Sequence, residues 1–454
     1  MGRTMNPLLP PGWYIPDGEA HVFDGELYLY GSCDRTKEHF CSGEYYVAHT
    51  KDFVDWDIEG PSYTIGEVTW AGESKMHSSV HDIKSFDELP EHIKKYLPES
   101  AREVPIEQII QAIEQQASQN LPKEKLLYAP DAIQKDGKTY LYLCLSDDTE
   151  GVAASDSPTG PFADSVQMQT SVTHTPIEGI DPAVFVDEDG QGYYYWGQFQ
   201  AKGARLTENM RAVEEDSVVE GLLTEEQHHF HEGSSMRKRG DTYYYVFADT
   251  LRGKPTCLGY ATGKSPLGPF TYQGVIIDNE SCDPGSWNNH GSIEEVNGQW
   301  YIFYHRSCGN SQHMRRACAE PIFFDENGLI REVKMTSQGP GEPFALGEEI
   351  PGYCACEVYG TAYVGDDTEK NALMVPDGTG GAVFRYVKNE TTAQRLIILA
   401  EGCGNLEVFA DGQSVGMGRL ESGEIAVCLP AGTHEIRLEF VDAEQAAIRQ
   451  ICFL

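Results

Sequence analysis

Five short segments of this chain are near-copies of one another: Phe23–Gly31 (FDGELYLYG), Lys135–Cys144 (KDGKTYLYLC), Glu188–Gly197 (EDGQGYYYWG), Lys238–Phe247 (KRGDTYYYVF) and Val296–His305 (VNGQWYIFYH). Each has a glycine at a turn, two variable residues, and then a run rich in tyrosine and other strand-formers. The shared glycines are Gly25, Gly137, Gly190, Gly240 and Gly298, and their last three gaps are about 50 to 60 residues. That period is the mark of a β-propeller or similar array. In a propeller the first strands of all blades converge on one axis, so the axis is where chemistry is expected. Two further segments, Ser155–Phe162 (SDSPTGPF) and Gly263–Phe270 (GKSPLGPF), recur at a similar offset and reinforce the repeat. Their proline fixes φ and their glycine tolerates a turn conformation closed to other residues.

The repeat predicts an all-β fold with five blades, at about Tyr14–Ile65, Leu126–Asp164, Gly179–Gly221, His229–Asp278 and Trp287–Thr336. The first gap, from Gly25 to Gly137, is double the others, which admits a hidden blade or an insertion. Residues 66–125 contain no copy of the glycine–tyrosine unit. Ile106, Ile109, Ile110 and Ile113 recur there at helical spacing, with Asp87 and Ser100 as capping residues and Pro98 and Pro105 as separators. A helical insertion between blades one and two is the favoured reading, and its expected role is a cover over the mouth of the axial pocket, a surface decoration or an oligomer contact. The propeller is assigned to residues 1–340. A Gly/Pro-rich stretch follows, and then alternating strands such as GAVFRYV, LEVFADGQSVG and HEIRLEFV predict a β-sandwich over 341–454.

Composition narrows the function. The net charge of -37 argues against nucleic acid or an anionic membrane as partner and is compatible with a neutral sugar. No stretch of 18 apolar residues occurs, and the N-terminal residues lack the apolar run of a signal peptide, so a cytoplasmic protein is expected. The twelve cysteines form no CxxC pair, which predicts reduced thiols and not a zinc ribbon.

Ahead of each glycine turn lies a polar residue in a defined setting: Asp17 in IPDGEAHVF, Asp131 in YAPDAI, Asp181 in GIDPAVF, Glu232 in FHEGSSM and His290 in NNHGSI. Singly these read as turn residues. Placed together on five inner strands they would gather at one axis, a costly arrangement for carboxylates unless they work or hold a cation. Glycoside hydrolysis uses such a set: one carboxylic acid protonates the leaving oxygen, a carboxylate activates water, and a third raises the pKa of the acid.

These segments, in this order, resemble glycoside hydrolase family 43, five-bladed propellers acting on arabinose- and xylose-containing polysaccharides. The resemblance covers Tyr14 to Thr336 outside the insertion. It implies an inverting hydrolase with Asp17 as general base, Glu232 as general acid and Asp181 as the carboxylate that tunes it. It further implies His290 beside a calcium ion or its water on the axis, and Arg306 in YHR as a sugar contact. Asp131 and Tyr128 are expected to bind substrate, although the family usually has Trp where Tyr128 stands. The C-terminal strands resemble carbohydrate-binding module family 6, without a tryptophan to stack on sugar; Tyr359, Phe384 and Tyr386 are the aromatic substitutes, with core packing as their alternative role. The expected activity is release of terminal arabinofuranosyl or xylosyl units from oligosaccharides. An endo-acting arabinanase, a non-catalytic sugar-binding propeller and a retaining fructan-acting relative are the alternatives.

Overall fold

The computed structural model describes residues 2–71, 84–89, 94, 97–112 and 125–454. Blade one is built from Glu19–Phe23, Glu26–Tyr30, Glu44–Thr50 and Asp57–Thr64, and blade two from Asp131–Lys135, Lys138–Cys144, Glu150–Ser155 and Ala163–Gln167. Blade three comprises Ala183–Val186, Gly192–Trp196, Gln200–Arg205 and Val219–Thr224; blade four comprises Phe230–Arg239, Thr242–Asp249, Cys257–Gly263 and Phe270–Asp278. In each of these four sheets the strands pair antiparallel in chain order. Blade five has three strands, Ile293–Val296, Gln299–Cys308 and Ser311–Pro321. The N-terminal segment lies along its third strand, with Leu8 N donating to the Ala317 carbonyl at 2.9 Å and Asn6 exchanging side-chain hydrogen bonds with the Ala319 backbone. This joins the first and last parts of the propeller.

The repeated glycines make this architecture locally. In blades one, two and five the first two strands are joined by Asp24-Gly25, Asp136-Gly137 and Asn297-Gly298, and both residues of each pair have positive φ. Such two-residue turns match the right-handed twist of the strands they join. The tyrosine runs that follow supply the packing between blades. Tyr194, Tyr195, Tyr244 and Tyr245 are fully buried, and each such ring removes on the order of 150–250 Å2 from water. Neighbouring inner strands touch around a closed ring, blade one meeting blades two and five.

The insertion is helical in part. Short 3-10 turns occupy Phe86–Glu88 and Glu99–Glu103, and residues 106–112 are helical; Ile113 lies outside the described residues. Leu89, Ala101 and Ile109 form a small core of their own. The start of the insertion is tied to the outer edge of blade two, where Trp70 Nε1 donates to Ser165 Oγ at 2.9 Å. The C-terminal part is a single curled ten-stranded sheet. Its two long strands, Ala393–Ala410 and Gly432–Phe453, pair with each other through several register shifts, which let them bend around one shared core. Phe384 is buried in that core, Tyr386 is half-buried and Tyr359 is 40% exposed. All twelve cysteines are free.

Candidate active site

At one end of the propeller axis lies a cavity of about 210 Å3 whose walls include Asp17, Tyr128, Asp181, Glu232, His290 and Arg315. Asp17 and Asp181 sit two residues before their inner strands, at φ 59° and 56°. This left-handed turn is tolerated best by Asn, Asp and Gly, and it lets the chain enter the axis with the carboxylate at the strand's mouth. Glu232 is the third residue of the inner strand of blade four, beside a break in its pairing register.

The three carboxylates have different surroundings. Asp17 is buried; its Oδ1 accepts from Arg315 Nη1 at 2.7 Å and its Oδ2 from Ser32 Oγ at 2.6 Å. His305 Nδ1 lies 3.3 Å from the same Oδ1. Burial pushes the Asp17 carboxyl up, but Arg315 and His305 outweigh it and hold the group well below the usual carboxylate range. Asp181 is also buried, with one backbone hydrogen bond from Gly233 N at 3.0 Å. Burial, the neighbouring Glu232 and Asp17 together push it well above the usual range. Glu232 Oε2 accepts from Gln198 Nε2 at 2.7 Å, with Asn288 Nδ2 3.5 Å from its other oxygen. The pocket thus contains one carboxylate held ionised by a guanidinium and a pair of mutually repelling acids. Environments that push carboxyl pKa values apart are how a site separates its base from its acid.

Arg315 is the residue that sequence reasoning missed. It is buried, bonds both oxygens of Asp34 at 2.9 Å, reaches Asp17, and places its guanidinium 4.8 Å from the Phe40 ring centre. Arg306, nine residues earlier, does not reach the pocket. Its guanidinium turns into a buried cluster with Tyr304, Glu320 (3.2 Å) and the Thr336 carbonyl (2.7 Å). The two arginines stand on paired neighbouring strands, and nothing in the local sequence says which is turned toward the axis. Asp131 is also displaced from its expected place. Asp17, Glu232 and His290 each stand eight residues before their glycine and Asp181 nine, whereas Asp131 stands six before Gly137. The blade-two residue at offset eight is Ala129, and it does line the cavity. Asp131 lies further along the strand, fully buried, accepting from Val184 N and Ala132 N at 2.7 Å and paired with His21 Nε2 at 2.6 Å. The offset was legible in the sequence. Tyr128 lines the cavity as expected, joined there by Phe40, Gln198 and the 39% exposed Trp287. Among the described residues none from the insertion does so.

The model of glycosyl hydrolases family 43 matches residues 100–330, just over half of the chain. The chain belongs to glycosyl hydrolase family 43. A xylosidase/arabinosidase of Thermoclostridium stercorarium is 32% identical over 400 residues, covering 79% of this chain and 72% of the relative. One from Bacteroides ovatus is 28% identical, covering 67% and 89%. Among solved structures, a family 43 β-xylosidase/α-arabinofuranosidase from a compost microbial metagenome, in complex with xylotriose in a calcium-free form, superposes with a TM-score of 0.53 at 26% identity, covering 74% of this chain and 98% of its own. A family 43 enzyme of Xanthomonas citri complexed with xylose gives 0.53 at 25%, covering 75% and 95%. The family 43 protein described here is therefore a glycoside hydrolase.

Two places on the axis bear on a metal ion. His290 Nδ1 lies 3.9 Å from Asp17 Oδ1 and 3.7 Å from Asp181 Oδ2. Burial holds its ring below the ordinary histidine range despite the charges of Asp17 and Glu232, which leaves the neutral form that ligates metals. Calcium takes six to eight oxygen ligands, and both Asp17 oxygens already have partners. The donor set fits an ion carried on one nitrogen with most of its water shell, and not a caged one. The second place is the buried set of Glu19, His21 and Asp131, with one ligand atom from each within 4.8 Å of the others. There Arg237 Nη2 stands 3.1 Å from Glu19 and 3.4 Å from His21, so a side chain already supplies the positive charge.

Proposed function

We propose that this enzyme releases single terminal xylosyl or arabinofuranosyl units from oligosaccharides with inversion of configuration. The observation that carries the reading is the convergence of Asp17, Asp181 and Glu232, from three different blades, on one small pocket. The names of its relatives support the sugar class. The cavity of about 210 Å3 is below the roughly 300–1,000 Å3 of pockets that enclose drug-sized ligands, which suits one sugar ring at a chain end better than an internal stretch of chain.

In this mechanism Asp17 is the base. Arg315 and Ser32 fix its orientation and keep it ionised, so that it takes a proton from water as the water attacks the anomeric carbon. Glu232 is the acid on the other side of the ring and gives its proton to the leaving oxygen, with Gln198 fixing one oxygen. Asp181 is the third carboxylate, buried beside Glu232, and burial and the Glu232 charge push its own carboxyl up. A calcium ion carried by His290 would add positive charge beside the carboxylates.

The test uses p-nitrophenyl β-D-xyloside and α-L-arabinofuranoside, with proton NMR of the first-formed sugar. Glu232→Gln should lose far more activity on a xylo-oligosaccharide than on an activated aryl glycoside, because its proton matters only for a poor leaving group. Equal losses on both, or retention of configuration, would overturn the assignment.

A further inference from the structure

The C-terminal sheet meets the propeller at several places, among them Arg385 with Met335, and one of these, the segment 364–371, lies close to residues that flank the pocket walls. Gly309 N donates to the Val364 carbonyl at 2.6 Å. The Arg316 guanidinium donates to the Gly365 carbonyl at 3.1 Å and to Asn371. Asp367 N donates to Tyr14 Oη at 3.1 Å. Lys37 Nζ lies 2.9 Å from Asp366 and 3.7 Å from Glu369. Three of the four propeller partners are close in sequence to a wall of the site: Tyr14 precedes Asp17 by three residues, Arg316 follows Arg315, and Lys37 precedes Phe40 by three. The segment is itself held in shape. Asp366 is buried and caps Thr368 N and Glu369 N, while Glu369 returns to Asp366 N.

Lys37 is the most direct of these links. Its loop carries Phe40 and Cys41 into the pocket wall. The Lys37 carbonyl pairs with His313 Nδ1 at 2.8 Å, and the Phe40 ring stands edge-on to the same imidazole with centres 4.5 Å apart. Cys41 N donates to Asp34 Oδ1 at 3.0 Å, and Asp34 in turn holds Arg315. Gly309 leaves the path open, since a Cβ there would sit 2.8 Å from Lys37 Cε.

We propose that Lys37 is a positioning residue and that the C-terminal sheet, through Asp366, buttresses the wall of the sugar pocket. This rests on the reading of that pocket as the site of glycoside hydrolysis. The Lys37 end of the pair is exposed and buried Asp366 keeps its hydrogen bonds from Thr368 and Glu369 without it, so loss of the pair costs little global stability. A wall displaced by about 1 Å, however, can cost as much as about a hundredfold, and where the wall only seats the sugar the loss falls on binding. The two effects are therefore separable.

The experiment measures kcat, KM and thermal unfolding of the full chain on the better p-nitrophenyl pentoside. Lys37→Met should raise KM at least about fivefold, with kcat changed less than about twofold and the melting temperature within about 2 °C. Lys37→Arg should restore most of the KM. Asp366→Asn, which keeps the cap, should reproduce the KM rise and add nothing to Lys37→Met, as expected for two partners of one interaction. An unchanged KM in Lys37→Met, or fully additive effects, would overturn the proposal while wild-type turnover leaves the function standing. Absence of wild-type turnover on every pentoside and arabino-oligosaccharide would overturn both.

Discussion

Arg315→Met is the sharpest probe of how the site works. Arg315 is the largest favourable charge acting on Asp17, set against burial, which pushes that carboxyl up. Opposite charges about 4 Å apart interact by about 4 kcal/mol at an effective dielectric near 20, equivalent to about 3 pKa units. The base must be ionised, so kcat/KM falls as pH drops through its pKa. With Arg315 present that pKa is depressed and the acid limb due to Asp17 lies below the working range. In Arg315→Met burial is no longer opposed by that charge, so the pKa should climb into or above the ordinary carboxylate range and the limb become measurable. The same substitution leaves Asp17 and Asp34 as unpaired buried charges, a loss of about 3–5 kcal/mol against a total of about 5–15, so circular dichroism must accompany the kinetics. Arg315→Lys is the control: it keeps the charge but loses the two-pronged bond to Asp34, so stability should fall while the limb stays low. The assay is kcat/KM against pH on an aryl pentoside. A folded Arg315→Met enzyme with an unmoved acid limb would refute the assignment of Asp17 as the Arg315-controlled base.

Three further outcomes are expected. Glu150 is fully buried against Tyr194, and burial pushes its carboxyl up to about 8; the folded state therefore keeps a proton that the unfolded chain releases near pH 4.3, and stability should decline as pH rises from about 4.3 to 8. Glu150→Gln, compared with wild type by denaturant unfolding at pH 5 and pH 8.5, should flatten that decline, and an unchanged slope would contradict it. Chelation should lower wild-type activity and added calcium restore it, whereas His290→Ala should show no calcium response; an equal response in both would remove His290 as the ligand. Gly233 has φ +71° and an added Cβ would press on His290 at 3.1 Å, so Gly233→Ala should cost about 1 kcal/mol or more in unfolding experiments and reduce kcat, and a variant with wild-type kcat would show that His290 and Asp181 tolerate the shift.

The blades were legible from the residues alone, because turn chemistry is local. An Asp-Gly or Asn-Gly pair ahead of a tyrosine-rich run, found in four of the five copies, favours a tight hairpin, and the spacing of about 50 to 60 residues between the last four copies marks an array. The same ruler located Asp17, Asp181, Glu232 and His290, each eight or nine residues before its glycine, and it would have excluded Asp131 had the offset of six been weighed. The choice between Arg306 and Arg315 needed the tertiary structure, since both lie on paired strands of blade five and only the surroundings, Asp34 and Asp17 for one and Glu320 for the other, decide which guanidinium faces the axis. The same holds for Gln198, Asn288 and Trp287, whose loops carry no repeat. The C-terminal strands were legible as alternating β-structure, but their curling into one sheet depends on bulges in two long strands, and their contact with Lys37, Tyr14 and Arg316 joins residues some 50 to 350 positions apart. Alternation of apolar residues records that a face is buried and leaves open what it is buried against.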